Sequence, residues 1–375
     1  MRLDLPAATR RMIRPALYAA GALALLGFLF LWSGVYTVAA SRGHWAVTEW
    51  LLTFAMRNSV KTHATGIEPP PLDQPDLVSL GAGHFHGGCA FCHGAPGVPA
   101  GPVTDNMLPP PPDLATQMRP WRDRELFWIV KHGIKYTGMP AWPAQQRDDE
   151  VWTVVAFLRR LPALDADGYR ALALGDLQTP AQSGRALATT ETTSAGACAR
   201  CHGDARNAPA SALVPLLHGQ PVEFLAAALH AYAGGRRASG IMQPVAADLD
   251  PAERDRVARY YAGLQVPARP LNIEPGATAG IERGRRLAEQ GDAGLRIPAC
   301  TGCHGADALK TYPRLAGQNR AYMANRLRLW KGGLAPGTDG EAIMAPLARA
   351  LSERQIEDAA AYFAALGSAA AAPAR

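Results

Sequence analysis

The chain has 375 residues, 48% hydrophobic and 19% charged, with a formal net charge of +6, and that length allows two or three domains. Arg2, Arg10, Arg11 and Arg14 against Asp4 account for +3 of the charge ahead of one long apolar segment, leaving +3 for all that follows. No Lys/Arg cluster interleaved with aromatics marks a nucleic-acid groove, and no nucleophile–base pair or phosphate loop stands out, so nucleic-acid binding and acid–base catalysis are set aside.

Residues 15–41, PALYAAGALALLGFLFLWSGVYTVAAS, carry no charged side chain. The run exceeds both the roughly 20 residues that span a bilayer and the 7–15-residue apolar core of a cleaved signal. The arginines before it predict a cytoplasmic N-terminus and an exported remainder, and Trp32 and Tyr36 stand near the outer end as an aromatic belt would. Cleavage after VAA at 38–40 is the competing reading. Next, HWAVTEWLLTFAMRNSV (44–60) reads as a short helix, either lying in the membrane interface or packed on a partner subunit. The proline-rich GIEPPPLDQPDL (66–77) reads as an extended linker.

Beyond the linker, one six-residue pattern occurs three times: CAFCHG at 89–94, CARCHG at 198–203 and CTGCHG at 300–305. All six cysteines of the chain fall in these motifs, so none is left over for a disulfide. A zinc site would need its histidine several positions further on, or a second C-x-x-C nearby. A thioredoxin-like pair explains neither the histidine nor the triplication. Covalent haem c attachment requires this order. Two thiols spaced by two residues add to the two vinyl groups of one porphyrin, and the adjacent imidazole takes an axial position on the iron. The expectation is three covalent haems c, on Cys89 and Cys92, Cys198 and Cys201, and Cys300 and Cys303. Six propionates would then cancel most of the remaining positive charge.

The motifs belong to a longer repeat. Between the second and third copies an offset of 102 pairs Cys198 with Cys300, His202 with His304, Met242 with Met344 and Tyr260 with Tyr362. Between motif and methionine the offset becomes 98, laying PLLHGQP (215–221) over PRLAGQN (313–319), until the longer loop LAPGTDGEAI restores the register. From Met139 to Leu161 the first copy follows Met242 to Leu264 at an offset of 103, with Phe157 over Tyr260. Helical apolar spacing in DEVWTVVAFLRRL, AERDRVARYYAGL and ERQIEDAAAYFAAL predicts an amphipathic helix closing each unit. Short helices are predicted before each motif, around 76–86, 180–190 and 278–290, with Gly184 and Gly284 in similar places.

On these residues each unit resembles a class I c-type cytochrome: N-terminal helix, C-x-x-C-H, P-x-L-x-G loop, methionine, C-terminal helix. The resemblance covers residues 73–370, and the second and third units are similar to tandem di-haem cytochromes. The whole chain resembles membrane-anchored tri-haem cytochromes that serve periplasmic dehydrogenases and haem-copper oxidases. The expected fold is all-α: a stub and transmembrane anchor (1–44), an interfacial segment and linker (45–72), three cytochrome c domains (73–168, 169–270, 271–370) and a flexible tail (371–375).

With His93, His202 and His304 on the proximal side, the distal candidates are Met139 in TGMPAW, Met242 in GIMQPV and Met344 in AIMAPL. Proline one or two residues later is expected to hold each in an extended loop. An isolated methionine is usually a core filler, and Met323, at an amphipathic helix position, reads as one; Met107 and Met118 are off the shared register. His132 competes with Met139, His218 reads as structural, and His84 and His86 as partly exposed helix residues. A proximal imidazole normally donates its second N–H to a carbonyl. In the resembled family this belongs to the loop proline, here Pro215 and Pro313, with Pro112 as the first unit's counterpart although the glycine after it is missing.

A thioether favours ferrous iron, and Met/His ligation raises the potential over His/His. The expected function is single-electron transfer, not catalysis, from the periplasmic face of a bacterial inner membrane crossed once. The partner would be a periplasmic dehydrogenase, a haem-copper oxidase or a soluble cytochrome. A peroxidase-like enzyme with one open haem is the alternative, most readily in the divergent first unit.

Overall fold

The computed structural model describes residues 7–117, 121–175, 194–267, 277–305 and 309–369. Among them the regular structure is helical, with two isolated β-bridges, Ala95 to Val98 and Asp292 to Ile297, in place of strands. The helix expected at 180–190, with Gly184, lies outside the described residues, as do Met118 and the expected tail.

Helix α1 (Ala7–Ser33) contains the apolar run Ile13–Ser33, which is long and apolar enough to cross a membrane and is wholly exposed. In α2 (Ala46–His63) only Val60 is buried, while Trp50, Leu51 and Phe54 stand exposed. Trp45, just before it, contacts Phe30 and Tyr36. The rest of the chain folds as α3 (Pro75–Gly88), α4 (Asp123–His132), α5 (Asp148–Arg160) and α6 (Ala166–Leu174), then α7 (Ser194–His202), α8 (Val222–Ala233), α9 (Met242–Asp248) and α10 (Pro251–Gly263). Last come α11 (Ala277–Gln290), α12 (Arg320–Lys331), α13 (Asp339–Ala350) and α14 (Glu353–Ala369).

The predicted closing helices are α5, α10 and α14. Asp148, Asp149 and Glu150 open α5 and Arg159 and Arg160 close it, the charge order that complements a helix dipole. Its buried residues, among them Val151, Val154, Val155 and Leu158, form the core with Phe85 and Tyr169. Asp250 and Glu253 box the start of α10, each accepting the other's backbone N–H, with Pro251 in its first turn.

Two helix crossings carry the first and third units. Gly81 of α3 lies directly on the Thr153 carbonyl and the Phe157 Cβ of α5. Gly284 of α11 lies in the same way on the Asp358 carbonyl and the Tyr362 Cβ of α14. Gly81 escaped the sequence reading because its spacing to the first cysteine is shorter. In the first unit α3 runs straight into Cys89 as its C-cap, whereas the third unit inserts the turn around Asp292–Ile297 before Cys300. Gly81→Ala and Gly284→Ala should each lower stability by about 1–3 kcal/mol, the usual penalty for overpacking. Thermal unfolding of each variant reads this directly, and an unchanged melting temperature would show that the crossings yield freely.

The second and third units hold each other by one contact made twice. Gln220 donates to the Arg314 carbonyl and accepts the Arg314 N–H, both at 2.9 Å. Gln318 does the same to Leu216, at 3.0 and 2.7 Å. Gln220 and Gln318 are 98 residues apart, as are Leu216 and Arg314, so each unit grips its neighbour's loop with the same residue, as in a two-fold interface. Deeper in, Glu341 pairs with Arg237 (2.7 Å) and with Arg326.

Candidate functional site

His93 and His304 end single-turn helices, Ala90–His93 and Thr301–His304, while His202 is the last residue of α7. The pentads thus put two thiols and an imidazole on one tight turn. Gly203, at φ 73°, lies against the Asn207 and Ala208 backbone, where a Cβ would not fit, and the buried Tyr261 hydroxyl donates to its carbonyl at 2.9 Å.

Each imidazole donates from Nδ1 to a proline carbonyl: His93 to Pro112 at 3.0 Å, His202 to Pro215 at 3.2 Å and His304 to Pro313 at 2.9 Å. Pro112 makes this bond without the glycine that follows the other two loops. Burial holds all three rings below the ordinary histidine range, His202 at about 4, with the carbonyls pulling the other way. At neutral pH each ring is uncharged. A carbonyl can only accept, so the single ring proton sits on Nδ1 and the Nε2 lone pair is free to bind a metal.

The six cysteine sulfurs form no disulfide. Burial raises the thiols of Cys89 to about 12 and Cys198 to about 11, and raises Cys92 and Cys300 as well. Among the described residues no three His, Cys, Asp or Glu side chains converge as a chelating group. The donor set therefore suits a porphyrin held through thioethers and imidazole better than zinc.

Cys89, Cys92, His93 and Met139 line the same continuous cavity as Cys198, Cys201, His202 and Met242, and as Cys300, Cys303, His304 and Met344. Its volume of about 2530 Å³ is more than twice the roughly 1,000 Å³ at the top of the range for a single small-molecule pocket. His132 and His218 are not among its lining residues. His132 meets Trp128 at a tilt instead, and His218, 2% exposed, bonds through Nε2 to the Asp204 carbonyl. Met107 does reach the cavity, its methyl pressed on Gly138 beside Met139. Met323 reaches it too, from the third unit's core.

The methionines sit on different backbones. Met139 is in an extended loop, its N–H bonded to Thr137 Oγ1 at 3.1 Å. Gly133, at φ 62°, lies against the Met139 and Pro140 carbonyls, so a side chain there would push the loop away. Met242 instead opens α9, and Met344 lies inside α13, which carries Pro346. The expectation of three extended loops is thus corrected. Pro244 is in the first turn of α9, where a missing N–H costs no helix hydrogen bond, and α13 continues through Pro346 at the loss of one.

His86 also needs correcting, whereas His84 is half-buried, in keeping with its reading as a partly exposed helix residue. His86 is buried, bonded through Nδ1 to the Tyr169 hydroxyl at 3.0 Å, and His84 meets Trp142 edge-on. Burial, with Arg200 adding to it, holds both imidazoles near 4. The second unit closes on the same helix, its Arg200 packed on Gly87 of α3 and its Cys201 on Gly83. No helical period in α3 could foretell a partner from another unit.

The family model for the cbb3-type cytochrome c oxidase subunit III matches residues 76–158, and the cytochrome c model matches residues 281–367. A thiosulfate dehydrogenase electron acceptor from Thiomonas intermedia is 34% identical over 174 residues, 46% of this chain and 79% of its own length. A protein of the same description from Stutzerimonas stutzeri is 33% identical over 217 residues, 57% of this chain and 93% of its own length. Among solved structures, cytochrome c4 from Acidithiobacillus ferrooxidans is 32% identical, covering 45% of this chain and 98% of that one, with a TM-score of 0.40.

Proposed function

This chain belongs to the multi-domain c-type cytochromes, and on that premise we propose that it is a membrane-anchored tri-haem carrier of single electrons. The observation that carries the reading is the triple recurrence of one arrangement: two cysteines, an imidazole bonded to a proline carbonyl, and a methionine on the same cavity. A haem c at each site supplies a one-electron ferric/ferrous couple. The chain's own residues then do three things. The cysteines Cys89 and Cys92, Cys198 and Cys201, and Cys300 and Cys303 hold the porphyrins covalently. His93, His202 and His304 bind iron through Nε2, their rings aimed by Pro112, Pro215 and Pro313. Met139, Met242 and Met344, on the same cavity, would supply the second ligand of each iron, and an iron so held would offer no place for a substrate, which speaks against the peroxidase-like reading.

Domains at 73–168, 169–270 and 271–370 carry one haem each, held outside the inner membrane by α1. The relatives' description as electron acceptors of thiosulfate dehydrogenase supports a periplasmic dehydrogenase as donor. The oxidase-subunit match over 76–158 supports a haem-copper oxidase as acceptor, reached through the first unit. The test is gentle detergent purification from the native membrane, intact-mass analysis and identification of what remains attached. Three covalent haems, with an attached dehydrogenase or oxidase, are expected; two haems or fewer would overturn the tri-haem reading.

A further inference from the structure

The distal methionine segment of the second unit is held by the first. Arg147 and Glu150, one turn apart at the start of α5, reach across to residues 238–240. The Arg147 guanidinium donates to the Ala238 carbonyl at 2.9 Å. Glu150 accepts from the Ser239 hydroxyl and from the Gly240 N–H, each at 2.6 Å. The Ser239 oxygen in turn accepts the N–H of Met242 at 3.0 Å. The indole of Trp142 lies against Gly240, where a Cβ would strike the ring. Trp142 follows Met139 by three residues, so the two distal segments touch.

Glu150 is almost wholly enclosed, its side chain 5% exposed. A buried carboxylate is tolerated only where its lone pairs are satisfied, and here the partners include Arg147 and the backbone of the neighbouring unit. Asp149, beside it, takes the other edge of Arg147 in a paired contact at 2.8 and 2.9 Å and accepts from Asn325 of the third unit at 2.9 Å. The cluster is a rigid bracket joining three units, and only one arm of it ends at a methionine's own N–H.

We propose that Glu150 is a positioning residue for Met242, so that the first unit sets the ligation, and with it the potential, of the second unit's iron site. This rests on the reading of Met242 as the distal ligand. The full chain carrying Glu150→Ala, Glu150→Gln, Ser239→Ala or Met242→Ala tests it, with added imidazole as the competing ligand. The far-red thioether-to-ferric-iron band lost in Met242→Ala identifies the site. At that site Glu150→Ala should speed displacement of the methionine by imidazole about tenfold, the effect of removing one charge-assisted hydrogen bond, and shift one midpoint potential of three. Ser239→Ala should do the same, and Glu150→Ala with Ser239→Ala should do no more than either, because the two act in series. Equal changes at all three sites, or no change at the Met242 site, would overturn the proposal. Should Glu150→Ala not mature, Glu150→Gln and Ser239→Ala carry the same comparison. A Met242→Ala chain that keeps all its thioether bands would instead sink the ligand assignment.

Discussion

Replacing Met139, Met242 or Met344 with alanine, one at a time, is expected to convert one low-spin thioether-ligated haem into an open or water-ligated one and leave the other two intact. The physical reason is the softness of the thioether. It stabilises ferrous over ferric iron, and axial ligation commands a span of roughly 0.8 V in haem proteins. Removal of the sulfur should therefore lower that one potential by a sizeable part of the span. Redox titration followed optically, with three resolved steps in the parent chain, reads the effect site by site. Met139→Ala is the most informative, because Met107 also stands on the first unit's cavity wall. If Met139→Ala leaves the spectra unchanged while Met107→Ala removes a thioether band, the first distal ligand is Met107. Electron arrival at that unit should slow as its potential falls below those of its neighbours.

A second large effect is expected at Glu341. It lies three residues before Met344 on α13, with its side chain only 7% exposed, and it holds Arg237 of the second unit and Arg326 of α12 together. Arg326 also stacks over Trp330, and Arg237 over Tyr232. Glu341→Ala would leave two guanidinium groups buried without their counter-charge, and breaking a buried pair in this way costs about 3–5 kcal/mol. Glu341→Gln should cost less, since the amide oxygen still accepts. Burial alone would raise the Glu341 carboxyl, but Arg237 and Arg326 outweigh it and hold the group below its ordinary value of 4.5. The sign follows from linkage. A lowered folded-state value means the bridge's contribution is complete above 4.5 and is lost as pH falls through the folded-state value. The melting temperature of the parent should hold from neutral pH down to that range and then drop, whereas Glu341→Ala should start low and lose less in acid. Parallel acid profiles for the two chains would show that Glu341 does not carry the acid sensitivity.

The site and the fold were legible in the sequence to different depths. Covalent porphyrin capture requires two thiols spaced by two residues with an imidazole directly after the second, so the motif is complete within five residues wherever the chain folds. The resemblance to class I c-type cytochromes let Pro112, Pro215 and Pro313 be named as imidazole partners, and each makes that bond. The closing helices α5, α10 and α14 were readable from 3.6-residue periodicity, although α5 is buried on every side from Glu150 to Leu158, more than one apolar stripe would give. The end of the P-x-L-x-G-Q segment was visible as a repeat, yet its use was not: Gln220 and Gln318 spend their amides on each other's unit.

What the sequence by itself determined is therefore the local motif: two cysteines and a histidine within five residues, three times over. Tertiary structure alone decided the contacts that cross from one unit to another. These include the packing of Arg200 and Cys201 on α3, the bracket of Arg147 and Glu150 on the segment before Met242, and the Arg237–Glu341 pair beside Met344. Such contacts leave no period or motif, because each joins residues that are about ninety or more positions apart in the chain. Their partners are fixed by how the helices meet, as at the Gly81 and Gly284 crossings, and not by any local preference of the residues themselves.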